Sequence, residues 1–408
     1  MTLLLYAHYD GQPVDPSKWI ESQPWQPVLR TMSIESGGKI LPFPAPSEKV
    51  DGEWRLYARS ASDDKSPIIA LLTALDALRA SNTAPAVNLK FFFDGEEEAG
   101  SLNMEAILRA NNELLKADAW IICDGPVHQN GQKLVYFGVR GIVTAEITVY
   151  GAARDLHSGH YGNWAPNPAL ELARLLTSMK DEAGNVLIDG FYDDVEPLDE
   201  LEKEALAEVP DFEKQLMKEL GLAWAEGNGK SLVELLTIPS LTINGIQSAY
   251  VGSQARTIIP SAATARLDLR LVKGNDPGRQ LERLRAHISR QGFFVTDREP
   301  ELEMRLKHPK ITRVTSRGGY KALRTKMDLP VSMMIVAAVQ SVSGKKVVQM
   351  PTLGGSVPLS FIPDIFGVPV IGVPIVNYDN NQHGENENVR LQNLWDGIEM
   401  FTALMTMR

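Results

Sequence analysis

The sequence predicts an α/β protein, a mixed-sheet domain interrupted by an inserted α+β domain. Three observations support this class. Short apolar runs typical of buried strands, at residues 3–7 and 89–93, alternate with helical patterns through the first 141 residues. Residues 142–150 and 263–272 instead alternate apolar and polar side chains, as strands with one wet face do. After Pro330, apolar strand-like runs again alternate with helical patterns.

The remaining elements follow from periodicity and helix-start signals. In the first section we predict helices around the apolar positions 68–78 and over 104–115, and a strand that ends at Asp124. In the middle section we predict helices over 166–179 and 276–289, an acidic amphipathic stretch over 196–222 and a strand over 301–306. In the last section we predict helices over 333–342 and 391–407, with a strand over 368–375. The domains are then 1–141 plus 323–408, which is discontinuous, and the insertion 142–322.

Length and charge limit the possible functions. A chain of 408 residues exceeds what one hydrophobic core usually serves, which agrees with two domains. A net charge of −10 argues against a nucleic-acid partner, because such a surface needs a basic face. No apolar stretch approaches the length of a membrane span, so no membrane partner is expected. The single cysteine, Cys123, cannot form an internal disulfide, and its apolar setting favours a buried structural thiol.

The N-terminus has no basic start and no small-residue cleavage site, so it does not predict a signal peptide, and we expect a cytoplasmic protein. The first strand starts immediately after Met1. A core strand in that position suggests that part of the domain precedes it.

Five segments carry ligand-type side chains at predicted strand ends or in loops. They are His8 with Asp10, Asp63 with Asp64, Glu96 to Glu98, Asp124, and His383. The carboxyl ends of strands in an open α/β sheet are where such folds build their sites. Histidine and carboxylates together in that position suit a metal-dependent hydrolase.

Each segment alone has an ordinary explanation. Asp63 and Asp64 precede a helix, so capping is about as plausible as catalysis. An acidic run is more often a solvated face than a site, and His383 lies in a polar loop. Five unrelated loops at one end of one sheet are much harder to explain in this way.

These segments carry motifs that resemble the di-zinc aminoacylase/carboxypeptidase/dipeptidase family, with the carnosinase-like dipeptidase branch as the nearest match. The motifs follow the family order over nearly the whole chain: His8-Tyr9-Asp10, Ala61-Ser62-Asp63-Asp64-Lys65, Glu97-Glu98-Ala99-Gly100-Ser101, Asp155-Leu156-His157-Ser158-Gly159, Gly354-Gly355-Ser356-Val357-Pro358, and His383. The resemblance implies a zinc-peptidase catalytic domain with an inserted lid and dimerisation domain.

The resemblance also implies the metal ligands. His8 and Asp124 would bind one zinc ion, Glu98 and His383 the other, and Asp63 would bridge the two ions. Imidazole and carboxylate ligands without thiolate favour zinc, with cobalt or manganese as substitutes.

Two further carboxylates have implied roles. Asp10 would hydrogen-bond the far nitrogen of His8 and fix its tautomer. Glu97 would be the general base for a water activated by the two ions. Physics alone does not set the register of the acidic run, and Glu96 with Glu97 is the next possibility.

Further residues are implied for the substrate and the partner subunit. His157 would reach the active site of a second copy in a homodimer and hold the developing oxyanion; a loop histidine bonded to Asp155 is the alternative. Arg270 and Thr257 resemble residues that bind a substrate carboxylate, although an exposed strand charge explains Arg270 equally well. Gly355 and Ser356 would belong to a loop that approaches the substrate, with an ordinary turn as the alternative.

We therefore expect hydrolysis of the amide bond of a dipeptide or N-acyl amino acid. The alternative is a degenerate member of the fold that binds peptide or metal without turnover. Its support is the short start and the altered glycines: Ala58-Arg59-Ser60 replaces the Gly-Arg-Gly that the family has before the bridging aspartate, and Ser66 replaces the glycine after Lys65. Against it, every ligand and Glu97 are retained.

Overall fold

The computed structural model describes all 408 residues. Its strands, in chain order, are β1 (Thr2–His8), β2 (Val28–Arg30), β3 (Ile40–Leu41), β4 (Arg55–Tyr57), β5 (Asn88–Asp94), β6 (Ala119–Ile122), β7 (Leu134–Tyr136), β8 (Gly138–Val139), β9 (Gly141–Tyr150), β10 (Leu156–His157), β11 (Ser240–Gln247), β12 (Ile258–Ile259), β13 (Ala262–Leu271), β14 (Phe294–Thr296), β15 (Ile311–Thr315), β16 (Gly319–Tyr320), β17 (Leu323–Arg324), β18 (Val348–Met350), β19 (Val370–Gly372) and β20 (Asn388–Arg390).

The helices are, in chain order, α1 (Ser66–Ala80), α2 (Met104–Ala110), α3 (Asn112–Leu115), α4 (Ser158–Tyr161), α5 (Pro168–Thr177), α6 (Glu200–Ala207), α7 (Glu213–Glu219), α8 (Leu232–Leu235), α9 (Pro277–Arg290), α10 (Leu302–Lys307), α11 (Pro330–Ser341), α12 (Phe361–Phe366) and α13 (Leu391–Thr406). None of them is both long and apolar enough to cross a membrane.

The first sheet has six strands in the order β18-β7-β19-β6-β1-β5. All neighbouring pairs are parallel except β7 with β19. Successive residues of β1 point to opposite faces, so Leu3 and Leu5 pack against α1, α11 and α13, while Leu4 and Tyr6 pack against α2 and α12. Helices therefore cover both faces, as the alternation of strands and helices predicted.

The second sheet has the order β11-β13-β9-β15-β14, with β16 also pairing β9. Its long central pair, β9 with β13, is antiparallel over ten residue pairs. The apolar face of this pair packs with side chains of α5 and α9 in a core of its own. Together the two sheets confirm the predicted mixed α/β class. The limits 142 and 322 for the insertion stay a prediction.

A small antiparallel sheet, in the order β20-β4-β2-β3, has no counterpart in the sequence-based prediction. It pairs the short strand β4 with β20, more than 300 residues later. Tyr57 lies opposite Asn388, so the two chain segments that follow Tyr57 and precede Asn388 are held side by side. Both segments lead to candidate ligands.

Two predictions about elements are wrong. Residues 301–306 do not form a strand, because Glu301 caps α10 and the rest lie in it. The alternating residues are good helix formers, and Leu302 and Leu306 are left exposed. The strand over 89–93 is not fully buried, because β5 lies at the edge of the first sheet, where packing partners are fewer.

Candidate metal centre

Two ligand-type side chains lie at the ends of adjacent parallel strands. His8 is the last residue of β1, and Asp124 follows β6 by two residues. Because β1 and β6 are parallel neighbours, these ends meet at one edge of the sheet. The His8 side chain is fully buried.

Asp63 connects this pair to a third segment. It lies in the buried turn between β4 and α1 and is 6% exposed. Its Oδ1 is 2.8 Å from His8 Nε2, and its Oδ2 is 3.1 Å from His383 Nε2. One carboxylate therefore contacts two imidazoles, one through each oxygen.

The acidic run separates into three environments. Glu96 is exposed, and both its oxygens accept hydrogen bonds from Asn103 Nδ2 at 2.9 Å. Glu97 is half-buried and lines the cavity at the sheet edge. Glu98 Oε2 is 3.3 Å from His383 Nε2 and accepts a hydrogen bond from Gln12 at 2.6 Å. This geometry favours Glu98 over Glu96 as a ligand.

Two groups of possible ligand atoms result, and they share Asp63. The atoms of His8, Asp63 and Asp124 lie within 4.8 Å of one another, and so do those of Asp63, Glu98 and His383. Nitrogen and oxygen donors of this kind fit zinc, cobalt or manganese. A shared carboxylate also fits two ions a few ångströms apart.

Asp10 links the two groups from outside. Its Oδ1 is 3.1 Å from His8 Nδ1, and its Oδ2 accepts a hydrogen bond from the Glu98 backbone N–H at 3.1 Å. A carboxylate on the far nitrogen of a histidine leaves Nε2 as the ligand atom and sets the direction of the ring.

The carboxylates crowd one another electrostatically. Burial, together with the charge of Asp124, raises the pKa of Glu97 to about 8. Burial and the charge of Asp63 raise the pKa of Asp124 to about 6. A site that holds this many acidic groups in low dielectric needs positive charge to keep them ionised.

Without metal ions, the imidazoles supply that charge. Burial opposes protonation of His8, but its hydrogen bond to Asp63 and the charge of Asp124 outweigh burial and raise the pKa of His8 to about 11. The hydrogen bond to Asp63 raises the pKa of His383 to about 8. Because metal ligands must be deprotonated, bound cations would replace these protons. The donor set and its excess negative charge therefore fit divalent cations.

The centre opens into a cavity of about 520 Å³. Its wall includes Glu97, Arg270, Gly355 and Ser356. Arg270 Nη1 donates a hydrogen bond to Ser356 Oγ at 2.7 Å, and Arg270 Nε is 3.2 Å from Asp268. Neither contact uses Nη2, which leaves a donor for a ligand in the cavity. A larger groove of about 610 Å³ lies beyond α8 and contains none of the candidate ligands.

Comparisons with known proteins agree with this geometry. A family model described as peptidase family M20/M25/M40 matches residues 4–407. The chain belongs to that family. A Cys-Gly metallodipeptidase of Schizosaccharomyces pombe is 27% identical over 407 residues, which cover 98% of this chain and 78% of the relative. The human Beta-Ala-His dipeptidase is 26% identical over 98% of this chain and 74% of its own length.

The solved structure of an M20 family metallo-carboxypeptidase from Sulfolobus solfataricus superimposes with a TM-score of 0.80 at 29% identity. The match covers 99% of this chain and 84% of that structure. These findings confirm the resemblance to the family and its dipeptidase branch. They also confirm that the chain is a metallopeptidase.

Two candidate residues lie apart from the cavity of their own chain. His157 is exposed, and its Nδ1 accepts a hydrogen bond from the Gly159 backbone N–H at 3.0 Å. Asp155 accepts from Ser261 rather than from His157, so the alternative of an Asp155–His157 pair is wrong. Thr257 is exposed as well, and its carbonyl oxygen accepts from Ser158 at 3.0 Å. The structure brings His157 and Thr257 together, but not to the candidate ligands.

Sequence reasoning missed two buried charged residues near the centre. Glu387 is fully buried and forms an ion pair with Arg59 at 2.8 Å. Arg140, also buried, donates to the Ile238 carbonyl oxygen and to Ser240 Oγ. No local periodicity marks these residues. The position of Glu387, four residues after His383, was the available signal.

Proposed function

We propose that this chain is a two-metal dipeptidase that prefers zinc and cleaves a dipeptide or an N-acyl amino acid. The observation that carries the proposal is the double contact of Asp63. The His8 group and the His383 group meet at this one carboxylate, through different oxygens. Carboxylate bridging of this kind is the arrangement that a paired metal site requires.

The proposed ligands are His8 and Asp124 for one ion, Glu98 and His383 for the other, and Asp63 for both. Two zinc ions held there would supply Lewis acidity, polarising the scissile carbonyl and lowering the pKa of water.

The remaining steps belong to side chains of this chain. Glu97 faces the cavity and accepts a proton from the attacking water, and then gives it to the leaving amine. Its raised pKa reflects a carboxylate that takes a proton readily. Asp10 keeps His8 Nε2 directed at the centre through the 3.1 Å contact to Nδ1.

Substrate orientation is assigned to Arg270 and its neighbours in the cavity wall. Arg270 would bind the substrate carboxylate, since Asp268 and Ser356 already hold its Nε and Nη1. A guanidinium held in this way pairs well with a planar carboxylate. Gly355 and Ser356 would border the same substrate group.

We further propose a homodimer that forms through the inserted domain, which would act as lid and dimerisation domain. Strand β11 is at the edge of the second sheet, and residues 242–247 are all exposed. Unpaired edges of this kind favour pairing with another chain. In that arrangement His157 would serve the active site of the second copy, next to Thr257.

A cytoplasmic location stays a prediction.

Metal stoichiometry and a substrate panel test the proposal together. Protein stripped with a chelator and reconstituted with zinc should hold about two ions per chain, and hydrolysis of Cys-Gly, β-Ala-His or N-acetyl amino acids should return with them. His383→Gln and Asp124→Asn should each lose about one ion, while the exposed control Glu96→Gln should keep both. A reconstituted protein without bound metal would refute the assignment.

A further inference from the structure

Glu387 does not line the substrate cavity, yet its carboxylate is densely hydrogen-bonded. Its side chain is fully buried, and its two oxygens accept five hydrogen bonds. Oε1 accepts from the Ser62 N–H, the Ser62 Oγ and the Asp63 N–H, each at 2.9 Å. Oε2 accepts from Arg59 Nη1 at 2.8 Å and from the Ser60 N–H at 2.9 Å.

Four of these five donors belong to the turn that carries Asp63, and the fifth, Arg59, immediately precedes it. The turn starts at Ser60, whose φ of 62° is left-handed. The Ser60, Ser62 and Asp63 N–H groups point to one side of the turn, whereas the Ala61 N–H donates to the Ala58 carbonyl oxygen. The carboxylate of Glu387 occupies that side. The Asp63 backbone is thus held by a hydrogen bond to Glu387, while the Asp63 side chain faces His8 and His383.

Arg59 extends the same contact to the segment of His383. Its second terminal nitrogen, Nη2, donates to the Gly384 carbonyl oxygen at 2.8 Å. The backbone also joins the two segments, because the Ala58 N–H donates to the Glu387 carbonyl oxygen at 3.1 Å, next to the β4–β20 pairing. Two segments more than 300 residues apart are therefore tied together beside the ligands that each one carries.

The geometry points to Glu387 as a positioning residue, which with Arg59 fixes the Asp63 carboxylate between His8 and His383. This inference rests on the proposed function, because it takes Asp63 as the shared metal ligand. An amide at position 387 cannot replace the carboxylate, since both oxygens face donors and one end of a glutamine would present N–H groups to them. The turn would have to shift, and the Asp63 oxygens would shift with it.

A purely structural role would have a different signature, and the chain offers a matched control. Glu202 and Arg324 form a second buried ion pair, at 3.1 Å, and neither residue lines the metal cavity. Breaking either buried pair costs stability, because it leaves an unpaired buried charge. Only the Glu387 pair adjoins a candidate metal ligand.

The test compares Glu387→Gln with Glu202→Gln in the full-length protein loaded with cobalt. Cobalt affinity is measured by competition with a chromophoric chelator, the visible absorption spectrum reports ligand geometry, and thermal unfolding reports stability. Both variants should unfold at lower temperature. Glu387→Gln should also bind cobalt about 10–100-fold more weakly, with a changed spectrum, whereas Glu202→Gln should keep wild-type affinity and spectrum.

Arg59→Lys keeps a positive charge beside Glu387 and guards against a Glu387 variant that fails to fold. A lysine lacks the fixed fork of two terminal nitrogens with which Arg59 reaches both Glu387 and the Gly384 carbonyl oxygen, so cobalt affinity should again fall. Wild-type affinity and spectrum in a folded Glu387→Gln or in Arg59→Lys would overturn this inference alone. A wild-type protein that binds no cobalt would overturn the proposed function together with it.

Discussion

Substituting the three glutamates of the acidic run one at a time separates the base from the ligand. Glu97→Gln keeps the shape of the side chain and removes the proton acceptor from the cavity wall. Loss of a general base lowers the rate by about 10²–10⁴-fold. This corresponds to about 2.7–5.4 kcal/mol of transition-state stabilisation. Metal content should stay close to that of the wild type.

Glu98→Gln removes a charged group 3.3 Å from His383 Nε2, so both the rate and the occupancy of one metal site should fall. Glu96→Gln is the matched control, because its side chain is exposed and bonded only to Asn103. Its stability should change by no more than about 0.5 kcal/mol. The assay measures steady-state hydrolysis and zinc per chain for each variant.

The three variants also test the register. A metal-replete but inactive Glu96→Gln would show that the assignment is wrong by one residue. Loss of one zinc ion from Glu97→Gln would show that this residue is a ligand rather than the base. A pH profile adds an independent measure: in the wild type, activity should rise with pH as Glu97 ionises. Bound cations would lower the pKa of Glu97 below the value of about 8 found without them.

Two further predictions concern the proposed dimer and helix α9. His157→Ala and Glu97→Ala should each be inactive alone, but mixing them should recover about a quarter of wild-type activity. After random exchange of subunits, half of the dimers contain one copy of each variant, and each such dimer has one intact active site out of two. Full activity of a monomeric protein would contradict this. His287 is buried beside Ser178, and burial, followed by the charge of Arg290, lowers its pKa below the usual 6.5. The folded state therefore binds fewer protons than the unfolded state. The free energy of unfolding that His287 contributes above pH 6.5 is lost as the pH falls below that value, and this free energy falls by at most about 1.4 kcal/mol per pH unit. Denaturant unfolding between pH 5 and 7.5 should show a flatter profile for His287→Gln than for the wild type; identical slopes would contradict it.

The parts of the site that the sequence predicted are those with a local signature. His8 and Asp124 each follow an apolar run, and parallel strands bring their ends to one edge whatever their distance along the chain. The motifs then named Asp63, Glu98 and His383. The structure adds the contacts among these residues, which cannot be predicted from their spacing along the chain.

The parts that were missed depend on distant pairing. The sheet formed by β4 and β20 joins segments too short for any periodicity, and Glu387 has meaning only through that pairing. The strand predicted at 301–306 failed for a related reason, since six alternating residues fit an exposed helix as well as a strand. Neighbours along the chain do not decide these cases; tertiary partners do.

The departure at Ser60 shows how the fold absorbs a change beside the centre. A non-glycine residue at a φ of 62° carries a cost of about 1–3 kcal/mol. The structure offsets it locally, because the Ser60 N–H donates to Glu387 and the Ser60 Oγ donates to the Asp10 carbonyl oxygen at 3.2 Å. The Ser60 side chain fits because its neighbour at position 11 is a glycine. Any other residue there would place a Cβ atom only 2.1 Å from Ser60 Oγ. Ser60 thus links the segment of Asp10 to that of Asp63, and the substitution adds a contact between two elements of the centre. For this reason the altered glycine does not favour the degenerate alternative.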